Sequence, residues 1–156
     1  MRHPHEFIAR LDWTGASDGP TTDYRSYSRD YEVSIPGRPV LAGTAATAFL
    51  GTDTRFNPED MLIASLAACH MLSYLALCAR KNIVVTGYFD NAYGKMDFVD
   101  GVMRFTEVLL KPVVIIREGS DLERATRLHH EAHQECFIAN SVNFPVQNEP
   151  TVSYAR

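Results

Sequence analysis

Cysteine is scarce in this chain: three residues, an odd count, in 156. The start, MRHPHEF, has no apolar h-region, so no secretory signal is read there. Both points imply a reducing cytosol, where a persistent structural disulfide is unusual. Basic charge is scarce as well. Fifteen Lys and Arg against nineteen Asp and Glu give a net charge of −4, with no clustered basic face of the kind a phosphate backbone requires. Nucleic acid is therefore excluded as a partner, and small molecules or proteins are favoured. There is no internal repeat, low-complexity tract, linker or HExxH pattern. Only one long apolar run exists, Met61 to Ala79, and Ser65, His70, Ser73 and Tyr74 interrupt it, which argues against a membrane span. With 46% hydrophobic and 22% charged residues, the chain reads as one globular domain over residues 1–156.

The apolar run is a helix with defined ends. Asn57 suits the N-cap, Pro58 the first helical position, and Glu59 and Asp60 place negative charge at the positive end of the helix dipole. Arg80 and Lys81 complement the other end. A helix apolar on all sides is expected to be central and buried by protein. Its small residues, Ala64, Ser65, Ala67 and Ala68, admit close approach by another helix, including one across a subunit interface.

Strands are expected around it. Phe7 to Trp13 alternates, Ser17-Asp18-Gly19-Pro20 turns the chain, and a second strand runs near Arg25 to Ile35. Pro36-Gly37 leads into Val40 to Ala42. After the helix, Val84 to Val99 and Val102 to Ile116 flank the hairpin dipeptide Asp100-Gly101, with Pro112 marking an edge or bulge. A second helix opens with a capping box, Ser120 and Glu123, and runs through Leu122, Ala125, Leu128, Ala132 and Cys136. Thr151 to Tyr154 closes an antiparallel meander packed with two helices, an α+β arrangement.

The thiols differ in geometry. Cys69 and Cys78 are nine residues apart on one helix, at ~100° per residue on opposite faces, and cannot form a bridge. Cys69 and Cys136 lie on different helices, so packing could bring their Cα atoms to the ~5.5 to 6 Å a disulfide needs. Cys78 reads as a small buried hydrophobe.

Asn57-Pro58-Glu59, Ala67-Ala68-Cys69 ten residues after the glutamate, and a second helical cysteine 67 residues later together resemble the OsmC/Ohr family, named for osmotically inducible protein C and organic hydroperoxide resistance. The resemblance implies an antiparallel sheet wrapped around two central helices in an intertwined homodimer. It implies a thiol peroxidase that reduces organic hydroperoxides, with Cys69 as the peroxidatic cysteine, Cys136 as the resolving cysteine and Glu59 as the carboxylate holding an active-site arginine. In the usual pattern proline follows the second cysteine, whereas Phe137 stands here, which marks a divergent branch. Arg25 and Arg29, four apart on a predicted strand, both face one side. Arg29 is preferred because YSRDYEV joins the core strand, with Arg25 as the alternative.

A free thiol titrates near 8.5, so an activating guanidinium is needed at Cys69, about 18 Å along the helix from Asn57. Oxidation to a sulfenic acid and a Cys69–Cys136 disulfide would follow, with recycling by a dithiol, lipoyl-type or other. That cycle needs no metal and no cofactor. Glu59 lies ~15 Å from Cys69 along a continuous helix, so the helix is broken, the arginine spans the gap, or Glu59 serves a partner's thiol. An apolar substrate pocket is placed at Met61, Leu66, Leu72 and Phe137. His129 and His133, spaced i and i+4, could in geometry hold zinc or nickel, but His129, His130, Glu131 and Glu135 are read as a solvated face. His70 is read as a core or interface hydrogen-bonder. The alternatives to a peroxidase are a non-catalytic small-ligand binder and a redox sensor of the same fold, which turnover with excess dithiol would separate.

Overall fold

The structure, a computed structural model, describes residues 4–155. Of the starting segment MRHPHEF, residues 1–3 therefore lie outside it, as does residue 156. The described residues form two long helices, α1 (Pro58–Arg80) and α2 (Leu122–Glu135), and nine short strands, an α+β arrangement. The chain forms two compact units that divide between Met61 and Leu62, inside α1.

The first unit carries one antiparallel sheet of β1 (Arg10–Asp12), β2 (Tyr31–Ser34) and β3 (Leu41–Gly43). Its strands are shorter than the alternation predicts. Residues 21–27 form bends and turns, so Arg25 and Arg29 are not on a strand, and the argument that they share a strand face fails.

α1 begins as expected: the Asn57 side chain accepts from the Asp60 N–H at 2.8 Å. It ends in a Schellman motif. Asn82 adopts the left-handed conformation (φ 58°), with the Ile83 N–H bonded to the Cys78 carbonyl at 2.9 Å and the Asn82 N–H to Ala79 at 3.3 Å. The helix is unbroken, which removes one of the three readings of Glu59.

In the second unit, β4 (Val85–Asp90), β7 (Pro112–Ile116) and β9 (Thr151–Tyr154) form one sheet, and β5 (Tyr93–Val99), β6 (Val102–Leu110) and β8 (Val146–Asn148) form another. The β5–β6 hairpin turns on Asp100 and Gly101, both at positive φ (53° and 79°), as the dipeptide predicts. The two long predicted strands each break in two, at Asn91-Ala92 and at Lys111, whose N–H bonds the Asp90 carboxylate at 2.7 Å. The meander is also corrected, because β8 pairs parallel with β6 and β9 parallel with β7. Pro112 is no edge or bulge marker. It opens β7, the central strand, at the first position, where a missing N–H costs least.

α2 starts one residue later than the capping box places it. Asp121 is the N-cap and accepts from the Arg124 N–H at 2.9 Å, while the Ser120 hydroxyl takes the Val84 N–H at 3.3 Å. Cys136 is the C-cap, just beyond the last helical residue.

Two clusters form the core. Tyr74, Leu77 and Cys78 of α1 pack with Val114 and Ile116 of β7 and with Ala125, Leu128 and Ala132 of α2. Leu66 packs with Val108 and Leu110 of β6, and Phe105, Ile138 and Val146 close around them. α1 is long and apolar enough to cross a membrane, yet Leu66, His70, Tyr74, Leu77 and Cys78 are buried inside the protein. α1 is thus a core helix, as expected, and within the single chain Ala64, Ala68 and Leu72 form an exposed stripe at i, i+4 and i+8.

Candidate active site

Cys69 sits midway along α1 and Cys136 at the end of α2; both are free cysteines, and the fold sets them close enough that Cys69 raises the Cys136 thiol. Cys69 is half-buried, whereas Cys136 is only 1% exposed. Burial pushes the Cys136 thiol up to about 11, and the adjacent Cys69 adds to the rise. The Ala139 N–H, 3.5 Å from the sulfur, pulls the other way. Cys136 therefore keeps its proton near neutral pH.

The turn after Cys136 is held by residues that sequence reasoning passed over. Asn140 Nδ2 donates to the Gln134 and Cys136 carbonyls at 2.9 and 3.0 Å, satisfying acceptors that a helix end leaves open. Ser141 Oγ donates to the Phe137 carbonyl at 2.8 Å. These bonds order a turn in which Phe137, standing where the family pattern has proline, is thrust outward.

Beside Cys69 lies an open cleft of about 340 Å³, lined by Ser65, Ala68, Cys69, Leu72, Ser73, Phe137 and Ile138. Leu72 and Phe137 belong to the predicted pocket. Leu66 does not line the cleft: it is fully buried against Val108 and Leu110, because it points about 90° away from the cleft face, into the β6 side. Met61 is half-buried in the first turn of α1. Ser65, Ala68 and Ser73 were missed, although their i−4, i−1 and i+4 spacing from Cys69 was the available signal.

Cys78 is separate from this pair, buried in the core beside Tyr74. A second cleft, of about 450 Å³, lies against it between Leu75, Ala79 and Ile83. Burial raises its thiol too.

In the first unit, the Arg29 guanidinium donates to the Tyr24 and Tyr27 carbonyls and lies 3.8 Å from the Tyr27 ring centroid. Arg25 is exposed. Glu59 makes no ion pair among the described residues, and its Oε2 is buried with no hydrogen-bond partner. Burial of Tyr31 raises its phenol, and the Glu59 charge adds to the rise.

The histidines divide. His130, Glu131 and Glu135 are exposed as predicted, but His129 is 1% exposed, so it is removed from the solvated face. Its Nδ1 lies 3.0 Å from Nε2 of His70, which is the core hydrogen-bonder expected. Among the described residues, no group of three or more His, Cys, Asp or Glu is disposed to hold a metal ion.

Comparison with known proteins agrees with this architecture. The family model described as OsmC-like protein matches residues 51–150. An OsmC-like protein of unknown function from Vibrio cholerae is similar at 31% identity, with a TM-score of 0.87, over 95% of this chain and 100% of that one. An organic hydroperoxide resistance protein from Elizabethkingia anophelis shares the fold at 21% identity and a TM-score of 0.71, over 99% and 100% of the two chains. The uncharacterized protein YmaD of Bacillus subtilis is 23% identical over 95% of each sequence. The thiol pair, the mixed sheets and the extent of these matches agree: this chain belongs to the OsmC-like protein family.

Proposed function

We propose that this chain, as a single OsmC-like domain over its whole length, is a cysteine-based peroxidase that reduces organic hydroperoxides. One observation carries the reading: two free thiols close together, one half-buried at an apolar cleft and one buried and protonated. The fold is shared with proteins named for organic hydroperoxide resistance, one of them from Vibrio cholerae with captopril bound in an active site.

The Cys69 thiolate attacks one peroxide oxygen and the O–O bond breaks. The alkoxide takes a proton and leaves as the alcohol, and Cys69 becomes a sulfenic acid. The Cys136 sulfur then attacks the Cys69 sulfur. An S–S bond forms, and the hydroxyl leaves with the Cys136 proton as water. A dithiol, lipoyl-type or another, reduces the disulfide by two exchanges. The raised Cys136 thiol favours Cys69 for the first step, since the thiolate is the nucleophile.

Arg29, with Arg25 as the alternative, supplies the guanidinium that stabilises the Cys69 thiolate and the leaving alkoxide. The unpartnered Glu59 Oε2 supports its part as the acceptor for that guanidinium in a homodimer, where a second copy completes the site. The exposed stripe of α1 supports the same assembly. The compartment is the cytosol.

Stopped-flow oxidation by tert-butyl, cumene and fatty-acid hydroperoxides beside hydrogen peroxide tests the reading. Wild-type protein should react, with the organic peroxides fastest. Cys69→Ser should abolish reduction and Cys78→Ser should leave it nearly intact. Equal loss in the two variants would reject it.

A further inference from the structure

Two buried polar contacts join α1 to α2. Tyr74 Oη donates to the Ala125 carbonyl at 3.1 Å, and His70 Nε2 lies 3.0 Å from His129 Nδ1. Both imidazoles are essentially fully buried, and the His129 ring stacks on Tyr74 with 3.8 Å between centroids. Along the seam two contacts run in opposite directions on the helices: Tyr74 meets Ala125 and, four residues away on each, His70 meets His129, so one antiparallel register serves both. Cys136, the C-cap, comes beside Cys69 from beyond the end of that register. His129 and Cys136 are seven residues apart, about two helical turns, and so lie on one side of α2.

The apolar part of this seam specifies register poorly, because Ala125 and Ala132 are small and Leu77 and Leu128 can pack in more than one way. A slide of one turn, about 5.4 Å, would carry Cys136 beyond the range a disulfide tolerates. The histidine pair resists that slide, since it would strand two buried rings. The pair is also costly. Only one N–H fits between the rings, so in either tautomer one outer nitrogen bears a hydrogen, and His70 Nδ1 and His129 Nε2 are both buried without a partner. Net stability does not explain a buried pair with an orphaned donor, whereas fixing register is the best-attested use of such groups.

We propose that His70 and His129 form a register clasp between α1 and α2, acting as positioning residues that hold Cys136 against Cys69 and so control disulfide closure, not the first oxidation. Its catalytic meaning rests on the thiol-peroxidase reading, while its geometry does not. Burial keeps both rings neutral, lowering His70 to about 4 and His129 to about 3. The titratable groups that face the pair are His133 on α2 and Tyr74 on α1, with Cys78, Tyr88 and Asp90 beyond Tyr74. Among the described residues no carboxylate is bonded to either ring.

The test is a single turnover of the full chain with one equivalent of cumene hydroperoxide, sampled into dimedone and read by intact mass. His129→Phe keeps the ring and removes the bond. His129→Asn and His70→Gln place an amide near the lost nitrogen and should rescue. The expected result is a first oxidation within about twofold of wild type in His129→Phe but closure about tenfold slower, with the dimedone adduct accumulating. Both steps slowing together, or closure at the wild-type rate, would overturn the clasp. If His129→Phe does not fold, His70→Leu takes its place with the same criteria. A second arm replaces the peroxide with diamide, which takes two hydrogens from the thiol pair and is itself reduced to the hydrazine. Closure by diamide that depends on His129, in a protein inert to hydroperoxide, sinks the peroxidase reading and keeps the clasp. Diamide closure indifferent to His129 sinks the clasp alone.

Discussion

The stretches before and after the start of α1 use their apolar residues in opposite ways. Among the described residues, every fully buried hydrophobic side chain lies between Leu66 and Cys136. Ahead of α1, Phe7, Ile8, Leu11, Val40 and Phe56 are more than half exposed, and the buried residues there are Gly15, Gly43 and Thr44. The later region thus carries its own core and the Cys69–Cys136 pair. The earlier one carries the candidate arginines on a chain segment whose apolar surface is uncovered.

The largest expected effect sharpens that contrast in stability. Leu66→Ala should cost about 2 to 5 kcal/mol of unfolding free energy, and Leu11→Ala, 67% exposed, less than about 0.5 kcal/mol, by urea denaturation. If the Leu11 loss is larger and grows on dilution, the early region is a subunit interface. If Leu66→Ala is harmless, the core has been misplaced.

Acid should act on the later region next. His70 and His129 are held below the ordinary value of 6.5 by burial, to about 4 and about 3. Between those values and 6.5 the unfolded chain binds protons that the folded chain refuses. Their contribution is therefore fully present above about pH 6.5 and is lost as pH falls through the interval below it. Urea midpoints near pH 7 and about pH 5 should show this loss, and the double variant His70→Leu, His129→Leu should flatten it. An unchanged slope in the double variant would assign the acid sensitivity to other groups.

The smallest effect asks what the early region supplies to the chemistry. Arg29→Ala should slow Cys69 oxidation about tenfold, read by stopped-flow, with Arg25→Ala close to wild type. The reverse pattern moves the assignment to Arg25, and no effect from either refutes guanidinium activation.

Local features were legible in sequence where the physics is local. α1 was readable at both ends because Asn57, Pro58 and the flanking charges act within one turn. The α2 start was displaced by one residue because Ser120 and Asp121 are equally good caps, and only the demand of the Val84 N–H for Ser120 decides between them. The parallel pairing of β8 and β9 could not be read, since strands of three and four residues carry too little pattern to name a partner. At the site, the opposite faces of Cys69 and Cys78 followed from helical periodicity. The His70–His129 contact did not, because its partners are 59 residues apart and only packing brings them together. The strand placement of Arg25 and Arg29 fails because turns occupy the chain before Tyr31.

The central claim is that Cys69 is oxidised first and Cys136 traps the product. Intact-mass spectrometry after stoichiometric cumene hydroperoxide tests it most directly. Wild-type protein should lose two hydrogens as the Cys69–Cys136 bond forms, and Cys136→Ser should gain one oxygen and then more as peroxide is raised, because no thiol is left to trap the sulfenic acid. A wild-type mass that stays unchanged, or a Cys136→Ser protein that still loses two hydrogens, would contradict the account.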